Sequence, residues 1–317
     1  MPDDTLTIAQ ISDLHIGPLP AIPLRLLDLK RLTGFLNWYR KRRFMHLPSV
    51  TERIIADVKG AAPDHIAVNG DLANIGLPSE IERAAAWLAR IGPPGAVSVI
   101  PGNHDIYSKL GGIDRGATAL EPWRPYFTSN EHGRRFVGDA EAFPYVRVLR
   151  KGALAVALIG LNSAVETPPM IATGRLGTAQ LQALARILPA TRQAGFARVV
   201  MIHHPPQPGG ATPHHELIDA DAMAAILNEH GAELVMHGHN HRASVTRFPS
   251  PQGDVPIVCV PSASMAQVRS NEALARAHFF EFRQGIDATR PHITLIGRGL
   301  AEPAGPIVEL QRMVLSG

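Results

Sequence analysis

Strands alternating with helices over most of the chain, then strands in succession, predict an α/β fold with a mostly antiparallel C-terminal part. Three observations support this reading. Short β-branched and aliphatic runs recur at strand length, helical patterns ending in glycine lie between several of them, and polar clusters stand where the runs stop.

The runs are "LTIAQIS" from Leu6, "HIAVNG" from His65, "AVSVIPG" from Ala96, "ALAVALIGL" from Ala153, "RVVMIHH" from Arg198, "ELVMHGH" from Glu233 and "PIVCVPS" from Pro256. Their apolar continuity suits strands buried on both faces. The helical patterns are "SVTERIIADVKG", "SEIERAAAWLARIG", "TAQLQALARIL" and "DADAMAAILNEHG". The first, second and fourth end in glycine, which caps helix C-termini readily, and Ser79 is positioned as the N-cap of the second. From about residue 243 the order becomes "SVTRFP", "PIVCVP", "HFFEFRQG" and "HITLIGRG", with no long helix between most of them. No repeat, low-complexity tract or linker divides the chain, so residues 1–317 are expected to form one domain.

One segment interrupts the alternation. "LRLLDLKRLTGFLNWYRKRRFMH", residues 24 to 46, lies in a helical insertion at about 22–50. Leu29, Leu32, Phe35, Leu36 and Tyr39 recur at helical spacing, and Arg40, Lys41, Arg42 and Arg43 form a basic run beside Trp38. Two readings are open: a helix packed on the domain with its cations at the favourable carboxyl end, or a surface that meets anionic lipid or a charged substrate.

The bulk numbers exclude several classes. With 45% hydrophobic and 19% charged residues the chain is neither disordered nor fibrous. Its 31 basic and 28 acidic side chains leave +3, too little to imply a nucleic-acid polymer. The single cysteine, Cys259, lies in an apolar run, which rules out an intramolecular disulfide and points to a reducing compartment. The amino terminus, "MPDDTLTIAQ", shows no apolar core of signal-peptide length and no later stretch reaches that of a membrane span, so the expected location is the cytoplasm, free or peripheral to the membrane.

Histidine is the unusual residue. Eight of the fifteen, His203, His204, His214, His215, His230, His237, His239 and His241, fall between 203 and 241. The polar clusters follow the strand ends: Asp13 and His15 in "SDLH", Asp71 in "NGDLAN", Asn103, His104 and Asp105 in "GNHD", His203 and His204 in "IHHPP", and "HGHNH" from His237. In open α/β sheets ligands bind beyond the carboxyl ends of the strands, so these clusters point to one crevice. If the segments stay extended, residues two apart share a side, and Asp13 with His15, or His239 with His241, present pairs. Carboxylates, an amide oxygen and imidazoles without thiolate suit first-row ions such as manganese, iron or zinc. The donors outnumber what one ion needs, whereas two ions sharing a carboxylate would use them all.

The ordered set "DLH", "GD", "GNHD", "HH" and "GHNH", spread over residues 6 to 245, resembles the calcineurin-like metallophosphoesterases, closest in style to bacterial class III cyclic-nucleotide phosphodiesterases. The resemblance implies a four-layer αββα sandwich with a dinuclear site at the carboxyl edge of the strands. It implies one ion on Asp13, His15, Asp71 and His241, and a second on Asp71, Asn103, His203 and His239. Manganese or iron leads the expected metals, with zinc an alternative. A metal-bound hydroxide would then attack a small phosphate ester, with phosphodiesters favoured. His104 would contact the phosphoryl group or protonate the leaving oxygen, with Asp105 orienting its ring. His204, His214 and His215 are placed around the substrate, although solvated surface is an equal reading for the last two. His237 is expected to pack beside the site.

Two further readings remain beside a soluble phosphoesterase. One is a peripheral-membrane hydrolase of a phospholipid or nucleotide-lipid pyrophosphate that docks through Arg40, Lys41, Arg42 and Arg43. The other is a non-catalytic metal-binding scaffold, against which the filled ligand positions and His104 speak. A metallo-β-lactamase pattern fails because Arg242 and Ala243, not Asp and His, follow "HGHNH".

Overall fold

Alternation along the strands sorts the apolar residues into two layers, seen in a computed structural model that describes residues 5–108, 116–138, 142–268, 271–285 and 290–316. On β5 (Leu154–Gly160), Val156 and Leu158 join the cluster between two sheets, while Ala157 and Ile159 join a second cluster under the helices α6 (Gly177–Gln193) and α7 (Ala220–His230). Successive side chains point to opposite faces, so a strand covered on both sides needs apolar residues at every position.

Among the described residues there are two six-stranded sheets. The first runs β12 (Ile307–Ser316), β11 (His292–Leu300), β10 (Arg276–Arg283), β1 (Leu6–Ile11), β2 (His65–Val68), β3 (Val97–Val99). The second runs β4 (Tyr145–Lys151), β5, β6 (Ala197–Met201), β7 (Leu234–His237), β9 (Val255–Cys259), β8 (Ser244–Phe248). Each has a parallel block, β1 to β3 in one and β5, β6, β7 and β9 in the other, with antiparallel strands beside it. With helices outside, this is the expected αββα arrangement. Asn69, just past β2, ties the sheets at the carboxyl edge: its Nδ2 donates to the carbonyls of Ile202 (3.2 Å) and Met236 (2.9 Å).

Two capping expectations need correction. Ser79 is not the N-cap of α4 (Pro78–Ile91); Leu77 holds that place and Pro78 begins the helix. The Glu80 carboxylate reaches back to accept from the amides of Asn74, Ile75 and Leu77, tying the N-cap and the loop before it to the first turn. Gly60 lies within α3 (Pro48–Gly60), with Ala61 as its cap, whereas Gly92 and Gly231 do stand at C-caps.

The insertion is turned inside out relative to its apolar pattern. In α1 (Leu29–Asn37), Leu29, Leu32 and Leu36 are exposed, as is Tyr39 beyond it, while Lys30 and Arg31 are buried at 7% and 1% exposure. Arg31 is held by Asp28 (2.8 Å) and by the carbonyls of Ile75 (3.2 Å), Ser108 (3.0 Å) and Leu26 (3.3 Å). Lys30 Nζ donates to Thr167 Oγ1 at 2.6 Å and lies over the Tyr107 ring. The approach is close because Gly34 faces the body; a Cβ there would collide with Tyr107 Oη and lie 2.9 Å from Ile75 Cγ2. A π-helical turn, Trp38–Arg42, then leads into α2 (Arg43–Met45). Each extra residue in such a turn rotates the next helical segment by about 100° against a regular helix. No helix among the described residues is long and apolar enough to cross a membrane.

Candidate metal centre

The polar residues after β1, β2, β3, β6 and β7 converge. Ligand-capable atoms of Asp13, His15 and His241 lie within 4.8 Å of one another, and so do those of Asp71, His203 and His239. The groups abut: His15 Nε2 is 4.0 Å from both Asp13 Oδ1 and Asp71 Oδ2. Within them, His241 Nε2 is 3.1 Å from Asp13 Oδ1 and His203 Nε2 is 3.4 Å from Asp71 Oδ2. Asn103 Oδ1 belongs with the second group, 2.9 Å from His239 Nδ1 and 3.2 Å from His203 Nε2.

These residues are not presented by extended backbone. Asp13, His15, Asp71, His239 and His241 have φ of 55°, 42°, 56°, 68° and 52°, the left-handed region that costs a non-glycine residue roughly 1–2 kcal/mol. The expectation that strand alternation pairs His239 with His241 therefore fails. The turn between them sends His241 to Asp13 and His239 to Asn103.

Backbone carbonyls set the imidazole orientation. His203 Nδ1 donates to Asn69 O at 2.7 Å and His15 Nδ1 to Ala73 O at 3.1 Å, which turns each Nε2 toward the centre. Burial holds His15 and His239 well below the usual imidazole range, so they are neutral donors. Burial acts the same way on His203 and His241, but the Asp71 and Asp13 carboxylates outweigh it and push each up to about 9. Such protons stand in for a cation, since a carboxylate beside a buried imidazole needs positive charge nearby. His239 Nδ1 stands beside Asn103 Oδ1 in the second group, and its Nε2 is buried with no hydrogen-bond partner among the described residues. The donor set thus fits two ions: Asp13, His15, Asp71 and His241 around one, and Asp71, Asn103, His203 and His239 around the other.

Asp105 does not orient His104. Its Oδ2 accepts from the amides of Asp71 and Gly102, both at 2.8 Å, and its Oδ1 from Leu72 (2.9 Å) and Ala73 (2.8 Å). Burial and the Asp71 charge push its carboxyl up to about 8, while these amides favour the charged form. It is the hub that shapes the Asp71 loop. The His104 ring is set instead by Asn74, whose carbonyl accepts from Nδ1 at 2.5 Å, and by stacking on Tyr107; its amide donates to Asp71 Oδ1 at 2.8 Å. Burial, then Arg42, lowers its pKa to about 3.

The remaining histidines separate. His204 is buried with Nδ1 at 2.8 Å from Ser163 Oγ and Nε2 at 3.2 Å from Ala172 O, its ring 4.5 Å from that of His239. His237 turns Nδ1 to Gly238 O and enters neither ligand group. His215 lines an open cleft of about 470 Å³ with His239, His241, Arg242 and Glu272; His214 is exposed and outside that lining.

Four residues at the centre escaped sequence reasoning. Asn69 supplies the carbonyl for His203, and Glu272 Oε1 lies 3.6 Å from His241 Nδ1. His46 packs edge-on against His15 at 4.6 Å. Arg42 reaches His15 Nε2 at 2.7 Å and His104 Nε2 at 2.9 Å. Of the basic run expected to face a partner, Arg42 thus points inward and Arg43 stacks on Tyr39 and Phe44, leaving Arg40 and Lys41 exposed. The spacing of Arg42 and His46, one helical turn apart and ahead of a proline, was the available signal.

Two packed sheets with abutting carboxylate and imidazole groups at one edge define a protein built around a pair of metal ions. The chain belongs to the calcineurin-like phosphoesterase family, whose profile matches residues 6–243. A curated relative named as a probable cyclic nucleotide phosphodiesterase, from Synechococcus sp., is 26% identical over 244 residues, 76% of this chain and 75% of that protein. A dimetal phosphatase from Danio rerio shares the fold with a TM-score of 0.55 at 14% identity, over 96% of this chain and 98% of its own. Purple acid phosphatase from yellow lupin (Lupinus luteus) gives 0.58 at 14% identity, over 98% of this chain and 53% of its own. A 5'-nucleotidase precursor from Thermus thermophilus gives 0.50 at 14% identity, over 98% and 54%. This chain spans about half the length of the last two. At these identities the structural likenesses establish the fold.

Proposed function

We propose that this protein hydrolyses a small phosphodiester, a cyclic nucleotide being the first candidate. The observation that carries the reading is the meeting of Asp13, His15 and His241 with Asp71, His203 and His239 across His15 and Asp71. The name of the Synechococcus relative supports the choice of a diester. Bound ions, manganese or iron before zinc, would lower the pKa of water and draw charge from phosphoryl oxygens. The chain's own residues do the rest. Asp71 is placed to be shared between the two ligand groups. Asn74 takes Nδ1 and turns Nε2 of the neutral His104 ring toward the site, where that lone pair would take a proton from the attacking water as its oxygen bonds to phosphorus and return it to the departing ester oxygen.

The test is a panel of chromogenic phosphate mono- and diesters and cyclic nucleotides, presented to metal-stripped protein with manganese, iron, zinc or magnesium restored. Diester turnover that appears only with metal is the expected result. Metal binding without turnover of any ester would instead indicate a scaffold.

A second reading, action on a lipid phosphoester at an anionic bilayer, is favoured by the exposed row Leu29, Leu32 and Leu36 with Tyr39, Phe44, Arg40 and Lys41 beside it. Residues three and four apart share one helix side, so the three leucines form a single stripe. Self-association by two-fold symmetry would set Arg40 and Lys41 near their own copies, whereas anionic headgroups would neutralise them. Sedimentation with phosphatidylglycerol vesicles but not phosphatidylcholine vesicles, lost in the Leu29→Ser, Leu32→Ser, Leu36→Ser variant, is expected on this reading. Equal recovery in the supernatant with both lipids would refute it.

A further inference from the structure

Arg42 presents a charge without a counter-ion. Among the described residues it forms no ion pair with any carboxylate. Its two terminal nitrogens instead lie against imidazole faces, Nη2 at 2.7 and 3.2 Å from Nε2 and Nδ1 of His15 and Nη1 at 2.9 and 3.2 Å from Nε2 and Nδ1 of His104. Burial keeps both rings neutral, and each Nδ1 faces a carbonyl, Ala73 for His15 and Asn74 for His104. A guanidinium removed from water against two neutral rings is poorly compensated, and burying cations in this way is costly.

The arginine is nonetheless held in place. The His46 amide donates to Arg42 O at 2.8 Å, closing a helical turn. His46 Nδ1 meets Ser264 Oγ at 2.8 Å, and the hydroxyls of Ser262 and Ser264 donate to Asp13 O at 2.6 and 3.2 Å. The amides of Leu47 and Ala266 donate to Ser264 O and Met45 O, so the end of the insertion is stitched to segment 262–266. On the other side Lys30 and Arg31 anchor α1 to the body. The fold thus fixes a cation beside the centre that pairs directly with no carboxylate among the described residues, Asp71, Asp13 and Glu272 acting on it only from a distance.

We propose that Arg42 is a phosphoryl-binding residue, supplied by the insertion, whose guanidinium takes non-bridging oxygens of the substrate's phosphate; this rests on the phosphoesterase reading above. An ion on His15 Nε2 would stand beside the guanidinium, whose N–H groups border the same small volume between His15 and His104. An oxyanion there is the ligand that suits guanidinium and metal at once, and the planar fork matches a phosphate in two-point fashion. Arg42 then contributes to binding the ester and to neutralising charge as the P–O bond breaks, alongside His104 on the same face.

Inorganic phosphate is the probe, titrated calorimetrically into protein loaded with two equivalents of manganese. Arg42→Gln is expected to weaken phosphate about 10- to 100-fold, the worth of a charge-assisted hydrogen bond, with metal content and melting temperature unchanged. Arg42→Lys keeps the charge without the fork and falls between. Ester assays should show the same order, with KM rising in both variants. Unchanged phosphate affinity in both variants, or losses matched by loss of metal from both, would overturn the assignment. If the wild-type protein carries both ions yet neither binds phosphate nor turns over any ester, the phosphoesterase reading itself fails and takes Arg42's role with it.

Discussion

The loops that carry the metal-binding side chains and the helix α1 of the insertion both place charge inside the protein, by opposite routes. In the loops, Asp13, Asp71 and the histidines are inward because each meets another member of the set. In α1, Lys30 and Arg31 are inward because carbonyls, a hydroxyl and Asp28 receive them, while leucines that a helical pattern would bury are left outside. Burial of a charge is decided by its available partners, not by its place in a periodic pattern. In the loops the partners are announced by motifs; in α1 they are scattered over Ile75, Ser108 and Thr167.

The comparison can be broken from either side, and the largest effect is expected in the loops. His104→Ala should slow ester hydrolysis by about 10²–10⁴-fold, the usual contribution of a positioned acid or base, while elemental analysis still finds both ions. An emptied centre would instead make His104 a structural support of the Asp71 loop. Asn103→Ala should lower occupancy of the ion on the His203 and His239 side, giving sub-stoichiometric metal after dialysis. Asp105→Ala removes the acceptor of four amides and should cost about 3 kcal/mol or more in urea unfolding, with metal lost as well.

In α1 the ranking should be inverted relative to hydrophobicity. Arg31→Met should destabilise by about 3 kcal/mol, since it removes the guanidinium from the buried carbonyls of Ile75 and Ser108 and from Asp28, whereas Leu32→Gln should lie within about 0.5 kcal/mol of wild type. The reverse order in parallel denaturant titrations would mean that the helix packs through its leucines.

His278 on β10 offers a reference outside both regions: it is buried, and neither ring nitrogen has a partner. Burial, then Arg276, lowers its pKa to about 3, so between the unfolded value of about 6.5 and that point the unfolded chain alone takes up the proton. The stability contributed by the neutral ring is therefore complete above the upper limit and is lost as pH falls through the window. His278→Leu should flatten that acid slope and add about 1 kcal/mol at neutral pH, by removing polar atoms that nothing satisfies.

Much of the frame was readable because fully buried parallel strands are short apolar runs; of the twelve strands among the described residues ten correspond to runs that stand out in the chain, the seven with parallel partners among them. The two others fail for identifiable reasons. β4 interleaves Arg147 and Arg150 with its valines, and Arg147 is buried by donating to carbonyls of Val97, Pro125 and Thr128. β12 is an edge strand whose charged and apolar residues are mostly open to water. The site was readable as a set of residue types after strand ends. What those types do not carry is backbone conformation and the long-range partners of loops, hence the misplaced role of Asp105 and the reading of Arg42 only as one member of a basic run.

The left-handed backbone at Asp13, His15, Asp71, His239 and His241 has one further outcome. At these positions glycine or asparagine would relax the chain, so replacing a coordinating side chain partly offsets, in folding energy, what it removes in chemistry. Inactive descendants of such a protein should therefore keep their shape easily. A chain that retains aspartate and histidine at all five positions carries a standing conformational burden, which metal binding would offset in free energy.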